Sequence, residues 1–404
     1  MKIKIEERQL AIFILTTGIT LNYVVDGLNK ICSIYLPILS RSAIIYRALL
    51  QLFCISIIIF FINKQRVVWL LTFLYFLICF FVGNLYLKHI GGVEIHSIEQ
   101  FIYFNKYFFI FFLFFAVYKV LKDRSLLLVF IENFKKIFLF NGCLALLGLF
   151  FKIKLFYITP LGTSRFGYDG LVISGNEASI FYLLGLFVFY FDWRWRDFKK
   201  SKYALIAAVL FCLLTGMKAV LLGVFLLFCF HLFSTLSVKK LAKIFLAFFA
   251  LVLILIQSLP KLRVIFGYYY YRLDKQGFIY MFTGGRNTFI ESRVIPFLKK
   301  WDIINYLIGG QNISNVDNFL SLTEMDFIDI FLFFGLVNGI IFVLLYKTAI
   351  VGKIKNKFYL FCVFSFLLLS FFAGHFFTSS VNPIYIIIVF SYLNCSVYEF
   401  YKKV

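Results

Sequence analysis

Twelve apolar runs, several of them close to twenty residues long, divide this chain from one end to the other. About 20 apolar residues are what a helix needs to cross the hydrocarbon core of a bilayer. Charged residues make up 15% of the chain and hydrophobic residues 62%, whereas a soluble domain has about 25% charged residues. The sequence therefore predicts an all-α polytopic membrane protein. It argues against a soluble catalytic domain, because no polar stretch is long enough to form one.

The apolar runs predict about 12 transmembrane helices in a single integral membrane domain over residues 1–404. The predicted spans are 9–26, 43–62, 67–87, 101–121, 137–152, 177–192, 203–217, 219–236, 244–260, 326–346, 358–373 and 382–398. Two loops on the outer side stand out by length: 153–176, and a large loop at 261–325 before the tenth helix. The stretch "GLVNG" (335–339) has the small-xxx-small spacing that favours close packing between membrane helices.

The basic residues fix the predicted orientation. Short cytoplasmic loops of membrane proteins are enriched in Lys and Arg, and placing both termini in the cytoplasm puts most short basic clusters on that side. Membrane topology thereby accounts for much of the net charge of +22, and no nucleic-acid partner is expected. The eight cysteines are scattered singly, so neither a disulfide framework nor a metal motif is predicted. We find no repeat relating the two halves, which disfavours an inverted-repeat transporter.

Several basic residues lie in the predicted outer loops, where the orientation rule does not account for them. Arg286 and Arg293 are seven residues apart and would share one face of a helix, which Pro296 would bend or end. Arg165 lies among glycines in the loop 153–176, and Lys218 is at the tip of the hairpin between the seventh and eighth spans. Arginine suits phosphate because its planar fork donates two parallel hydrogen bonds. These side chains are either an anion site, or solvated charges and anchors to lipid headgroups.

Three carboxylates cluster where the tenth predicted span begins. Glu324, Asp326 and Asp329 lie within a few residues of one another, and Asp326 and Asp329 share a helix face. Asp329 is expected below the membrane interface, where an ionisable group is a functional candidate by default. Such a group either accepts a proton from a sugar hydroxyl as a general base or forms a structural ion pair with an outer-loop arginine.

His375 is the fourth catalytic candidate. It follows the eleventh predicted span on the outer side, beside a glycine and a Ser/Asn cluster in "FAGHFFTSSVNP" (372–383). Histidine exchanges protons near neutral pH, so His375 could serve as a base or as a donor to phosphate. The alternative is an ordinary packing residue.

Four stretches together resemble the O-antigen polymerase (Wzy) family and, more distantly, the O-antigen ligases. They are "SRFGYDGLVISGNEAS", with Arg165 followed by glycines and Asn176; "LLTGMKAVLLGVFLL", with Lys218; "GGRNTFIESRVIPF", with Arg286 and Arg293; and "TEMDFIDIFLFFGLVNGIIFVLLY". The likeness lies in the order and spacing of the four stretches. It covers roughly residues 160–404, and the first 150 residues match in hydropathy alone.

The resemblance implies a membrane-embedded inverting glycosyltransferase that needs no metal or other cofactor. Its substrates would be oligosaccharide repeat units on undecaprenyl pyrophosphate, at the periplasmic face of the bacterial inner membrane. Arg165, Arg286 and Arg293, with Lys218 and Asn176, would hold pyrophosphate or substrate, and Glu324, Asp326 or His375 would position or deprotonate the acceptor hydroxyl. Membrane lipid and a chain-length regulator of the Wzz type are the other partners to expect.

The sequence departs from the family pattern at three places, and two alternatives stay open. Lys218 stands where relatives commonly have Arg, "SGNEAS" replaces the "NPN" of many ligases, and "VDNFL" (316–320) lacks the ligases' His. Polymerase is therefore favoured over ligase. The alternative from another class is a flippase or transporter of the same glycolipid, for which charged residues should line spans in both halves. The apolar runs over 43–121 have few charges away from their ends.

Overall fold

The computed structural model describes most of the chain, and helices dominate that part. It describes residues 2–36, 42–93, 97–158, 167–172, 175–196, 198–236, 285–311 and 323–395, with 274, 275, 277 and 280. The helices in chain order are α1 (Lys2–Tyr35), α2 (Ser42–Phe60), α3 (Lys64–His89), α4 (Ser97–Leu121), α5 (Arg124–Phe151), α6 (Gly175–Phe191), α7 (Phe198–Leu214), α8 (Lys218–Thr235), α9 (Arg286–Phe289), α10 (Ile295–Leu298), α11 (Ile303–Ile308), α12 (Asp326–Tyr346), α13 (Lys357–Ala373) and α14 (Pro383–Leu393).

The predicted helical segments fall on helices wherever the structure describes them, and one of them, 326–346, is interrupted at Gly335. Each of the predicted spans falls on one of these helices, except 244–260, which lies outside the described residues. Seven helical stretches of the described chain are long and apolar enough to cross a membrane. They are Glu7–Tyr35, Ser42–Phe60, Lys64–His89, Ile98–Leu121, Arg124–Phe151, Lys218–Thr235 and Asp326–Val351, the last counted across a non-helical residue, Gly335. The protein is thus an α-helical membrane protein, while the count of twelve spans and the orientation stay predictions.

Ion pairs between neighbouring helices show that the first helices alternate in direction. Near the start of α1, Glu7 pairs with Arg66 at the start of α3 and with Lys119 at the end of α4, at 2.9 and 2.7 Å. Toward the other end of α1, Asp26 pairs with Arg47 in the first turns of α2. The bundle therefore has two polar ends. We call the end with Asp26 and Arg47 the outer end, after the orientation that the basic residues predict.

Two helices form the centre of the bundle. Every residue of α6 from Ala178 to Phe191 is buried, and so is almost every residue of α14. A helix that is apolar all round belongs inside a larger bundle, because it has no side suited to water. Both helices are short, and both begin inside the protein. Asn22, in the middle of α1, donates a hydrogen bond of 2.6 Å to the carbonyl of Val381 just before α14.

The tenth predicted span is not one straight helix. Gly335 has φ 67° and ψ −171°, which no helix contains. The rings of Phe334 and Phe342 stack with centroids 5.0 Å apart, whereas residues eight apart in a straight helix are separated by about 12 Å along the axis. The prediction of a continuous helix over 326–346 is therefore wrong: the chain turns back sharply at Gly335, and the segments before and after it pack side by side.

Gly335 and Gly339 contact different parts of the protein. A Cβ atom on Gly335 would lie 2.5 Å from the carbonyl carbon of Leu307 and 2.6 Å from the amide nitrogens of Ile308 and Gly309. Gly335 thus combines a left-handed turn with close backbone contact to α11. Gly339 faces Ile330, on the segment before the turn.

The outer segment that contains Arg286 and Arg293 is helical but irregular. Between α9 and α10 lies a π-helical turn, Ile290–Val294. Pro296 lacks an amide hydrogen and clashes with the carbonyl four residues before it, so the regular hydrogen-bond ladder cannot continue there. The extra residue of a π-turn rotates the faces of the helix. Arg286 lies before this π-turn and is partly buried, whereas Arg293 lies within the turn and is exposed.

Candidate functional site

The loop between α13 and α14 carries polar side chains into the interior at the outer end. Ser379 and Asn382 both donate hydrogen bonds to the Glu177 carboxylate in the first turn of α6, the Asn382 bond being 3.0 Å. Asn382 also donates to the backbone carbonyl of Glu177, at 2.9 Å. The starts of the two central helices are thus tied together by side chains that lie below the outer surface. This arrangement places a polar region inside an otherwise apolar bundle.

Arg286 forms an ion pair with one of the predicted carboxylates. Its Nη2 atom lies 2.7 Å from Oε2 of Glu324, and the two side chains are 20% and 48% exposed. The pair joins the start of α9 to the residues just before α12. The sequence alternative of a structural ion pair between an outer-loop arginine and a carboxylate is therefore found for Glu324. Such a partly exposed pair contributes about 0–1 kcal/mol, so a stronger anion could displace it.

Glu324 and His375 have the same unusual backbone conformation. Their φ angles are 57° and 65°, and of the non-glycine residues described only Lys152, at the C-terminus of α5, joins them in this region. Left-handed backbone costs a side-chain-bearing residue about 1–2 kcal/mol. The two are brought together by Gly374, whose Cβ, if it had one, would lie 2.4 Å from the Glu324 carbonyl carbon. Strain of this kind is concentrated at functional sites.

His375 interacts electrostatically with both members of the surface ion pair and with Glu177 in the interior. Its Nδ1 atom is 3.2 Å from the Thr378 hydroxyl. Burial lowers the pKa of His375 below its usual value, while the carboxylates of Glu177 and Glu324 oppose that shift. At neutral pH the imidazole is therefore uncharged and can accept a proton.

Asp326 and Asp329 are buried and hold backbone amides. Asp326 accepts a 2.8 Å hydrogen bond from the amide of Phe376, and Asp329 accepts a 2.8 Å bond from the amide of Thr323. Asp326 and Asp329 are 0% and 2% exposed. These carboxylates fix the two loops that present Glu324 and His375, and this geometry gives them a positioning role in the described structure.

The remaining predicted residues are spread around the same end. Arg293 is exposed on the π-turn, and Lys218 is exposed at the start of α8. Asn176 is half-buried in the first turn of α6, next to Glu177. Arg165 lies outside the described residues. The structure therefore brings Arg286, Glu324 and His375 together and leaves Arg293 and Lys218 at the surface.

Sequence reasoning missed a set of charged residues inside the bundle. Arg47 donates to Asp26 and, at 3.2 Å, to the Ser380 hydroxyl. Lys106 lies within α4, and its ammonium is 4.3 Å from the centre of the Tyr103 ring. It interacts electrostatically with Glu177 and Arg47. Single charges inside apolar runs were the available signal, since intramembrane ionisable residues are functional candidates by default. We call Asp26, Arg47, Lys106 and Glu177, with the loop residues 379–382, the buried polar cluster.

The end of the bundle opposite the candidate residues contains a cavity of about 260 Å³. It is lined by Glu7, Arg8, Ala11, Ala116, Lys119 and Val120. Its acidic group, Glu7, is already paired with Arg66 and Lys119. It is remote from every candidate residue that the sequence indicated. Within the described ranges, no three His, Cys, Asp or Glu side chains come close enough together to hold a metal ion.

Comparison of the chain with protein-family models, with curated proteins and with solved structures gives no match. The function is therefore inferred from the residues of the chain itself and from the resemblance of its four stretches.

Proposed function

We propose that the protein is a polysaccharide repeat-unit polymerase. It would transfer a growing glycan from undecaprenyl pyrophosphate onto a new lipid-linked repeat unit at the outer face of the bacterial inner membrane. The observation that carries the proposal is the grouping of Arg286, Glu324 and His375 at one end of a membrane bundle. That group combines a cation suited to diphosphate, a carboxylate and an uncharged imidazole.

Arg286 would stabilise the leaving diphosphate. As the bond from the anomeric carbon to the diphosphate oxygen breaks, negative charge develops on that oxygen, and a fixed guanidinium nearby lowers the barrier. The diphosphate would replace Glu324 as the partner of Arg286, because it has more charge and suits the bidentate fork. Because the Arg286–Glu324 pair is weak, breaking it costs little free energy.

A proton acceptor near Arg286 completes the reaction. The acceptor hydroxyl loses its proton as its oxygen attacks the anomeric carbon, and His375 or the released Glu324 would take that proton. Asp326 and Asp329 would act indirectly, by holding the loops on which these groups lie. Attachment of both substrates to lipid on one membrane face would supply proximity.

A second candidate function is transport of the same glycolipid. The observation that favours it is the set of charged residues within α1, α2 and α4: Asp26, Arg47 and Lys106. A transporter would move the lipid-linked unit across the bilayer without changing its length. O-antigen ligase remains the alternative in the same reaction class, and it would need a separate acceptor.

Replacement of Arg286 by alanine tests the proposal. Purified protein in lipid vesicles is given lipid-linked repeat units, and the products are resolved by length. We expect the native protein to make longer chains without added metal or nucleotide, and Arg286→Ala to be slower by roughly 10²–10³, the usual effect of losing one oxyanion donor. Arg286→Lys should retain an intermediate rate, since it keeps the charge and loses the fork.

Lys299→Ala is the matched control, because it removes an exposed cation from the same outer segment and should keep the native rate. Unchanged chain length with the native protein would contradict the polymerase proposal. Movement of unextended substrate between the leaflets would then favour the transporter. A native rate in Arg286→Ala would remove Arg286 from the mechanism.

A further inference from the structure

The buried polar cluster has hydrogen-bonding capacity that the fold does not use. Arg47 is largely buried, with its side chain 14% exposed, and its Nε atom has no acceptor among the described residues. The Tyr46 hydroxyl and the Oδ1 atom of the fully buried Asn382 also lack partners within the described chain. A buried polar atom without a partner costs about 1–3 kcal/mol. Several such atoms in one region indicate a place suited to a polar ligand.

Lys106 adds to this capacity. It lies within the membrane-spanning part of α4, and the described residues provide no carboxylate within ion-pair distance of its ammonium. The ammonium lies over the face of the Tyr103 ring, at 4.3 Å from the centroid. Placing a charged group inside a membrane protein is costly without a pairing group. A lysine in this position therefore favours a role in ligand binding over a role in folding.

The charges of the cluster balance, and this indicates the chemistry of the ligand. Arg47 and Lys106 are cationic, while Asp26 and Glu177 are anionic, so the region has no net excess of either sign. A diphosphate would favour an excess of positive charge. A ligand rich in hydroxyl groups fits better, because each hydroxyl both donates and accepts hydrogen bonds. Both kinds of group are present here: donors on Arg47 and Lys106, and acceptors on Glu177 and Asn382.

The cluster also lies beside the proposed site of transfer. His375 interacts electrostatically with Glu177 and Lys106 of the cluster and also with Glu324 and Arg286. The loop that holds His375 continues directly into Ser379, Ser380 and Asn382, the loop residues of the cluster, which contact Glu177 and Arg47. A sugar in the cluster would therefore be within reach of the group that accepts its proton.

We propose, building on the polymerase function above, that the buried polar cluster is the subsite for the acceptor sugar. The Lys106 ammonium donates hydrogen bonds to the sugar hydroxyl groups, and the Glu177 carboxylate accepts hydrogen bonds from them. Arg47 contributes its Nε donor, and Asp26 holds the Arg47 guanidinium in place. The ligand class is an uncharged, hydroxyl-rich sugar residue at the end of the lipid-linked repeat unit. The diphosphate binds separately, at Arg286.

Lys106→Met tests the subsite through binding. The probe is free oligosaccharide, released by mild acid from lipid-linked glycans extracted from the membranes of the source organism. The native protein in detergent should bind it, and Lys106→Met should weaken binding at least tenfold, because a hydrogen bond to a charged group is lost. Thermal stability should be kept or raised in the same variant, since a charge has been removed from the membrane interior.

Lys88→Met is the matched control: it makes the same substitution at an exposed position at the end of α3 and should leave oligosaccharide binding unchanged. Glu177→Gln, which keeps an oxygen for Ser379 and Asn382, should weaken binding as Lys106→Met does. Inorganic pyrophosphate is the second probe, and its binding should not depend on Lys106.

The outcomes separate this proposal from the proposed function. If the native protein binds the oligosaccharide through Lys106 and yet never lengthens lipid-linked units, the subsite stands and the polymerase is refuted. If polymerisation proceeds and Lys106→Met keeps the native KM and oligosaccharide affinity, the subsite is refuted and the polymerase stands. Loss of pyrophosphate binding alone in Lys106→Met would show an anion site and would also overturn the proposal.

Discussion

Replacing Lys30 by methionine should leave most of the protein unfolded. Lys30 is 1% exposed, and its ammonium pairs with Asp169 while donating to the carbonyls of Gly170, at 2.8 Å, and Val172, at 3.2 Å. Asp169 is 0% exposed. Removing one partner of a buried ion pair costs about 3–5 kcal/mol, because the other charge stays buried without compensation. That is a large part of the total stability of a typical protein, about 5–15 kcal/mol.

The pH dependence of the Lys30→Met variant gives a specific signature. Burial raises the pKa of Asp169 to about 7, an effect that Lys30 partly offsets. An acid whose pKa is raised on folding binds more protons in the folded state, so its contribution to stability falls as pH increases from the unfolded pKa of about 4 through the folded value. Lys30→Met should remove the offset. We therefore expect Lys30→Met to lower the stability of the folded protein less near pH 5 than near pH 8.

The measurement is the yield and melting temperature of the purified protein in detergent at the two pH values. Lys122→Met, at an exposed position, is the matched control and should change stability by less than about 0.5 kcal/mol. The double variant Lys30→Met/Asp169→Leu should recover much of the loss, since replacing a whole buried pair by apolar groups is often neutral. Equal stability of the single variant and the native protein would refute the assigned role of the pair.

Gly335→Ala is the second substitution with a large expected effect. The φ of 67° and ψ of −171° at Gly335 belong to a region almost confined to glycine, which costs another residue about 1–3 kcal/mol. The new Cβ would also overlap backbone atoms of Leu307, Ile308 and Gly309 at 2.5–2.6 Å. Backbone atoms cannot move aside as a flexible side chain can. We therefore expect loss of the sharp turn and a melting temperature far below that of the native protein.

Gly352→Ala separates the conformational cost of a side chain at positive φ from the overlap of the new Cβ with neighbouring atoms. Gly352 has a similar backbone, φ 66° and ψ −154°, but a Cβ there would meet nothing within 4 Å. It should therefore show only the conformational cost. Melting temperatures of the two variants in the same detergent check this, and a defect no greater in Gly335→Ala than in Gly352→Ala would contradict the close packing of the turn on α11.

Helix positions were predictable from sequence because apolar runs of membrane length have few other structures open to them. The turn at Gly335 was not, since a glycine within an apolar run is compatible with a continuous membrane helix. What reverses the chain there is the close approach of α11, a contact between residues about thirty positions apart.

The candidate site was predictable in part for a similar reason. Arg286, Glu324 and His375 were identified from their chemistry and their place in outer loops, and the structure brings them together. Arg47 and Lys106 were not identified from the sequence, because a single charged residue within an apolar run is also typical of a position near the end of a helix. Their significance comes from neighbours far along the chain, such as Ser380 beside Arg47. Glu177 stood in a quoted stretch, but its partners Ser379 and Asn382 are about 200 positions away.

Accessibility of the outer segment tests the central claim most directly. In a chain from which the eight free cysteines have been replaced, Lys299→Cys places one thiol on the exposed segment near Arg286, and Lys122→Cys places one at the opposite end. Intact spheroplasts are treated with a membrane-impermeant maleimide. We expect Lys299→Cys to be labelled at once and Lys122→Cys only after the membrane is opened. The reverse pattern would place Arg286 and the polar cluster on the cytoplasmic side and contradict glycan transfer at the outer face.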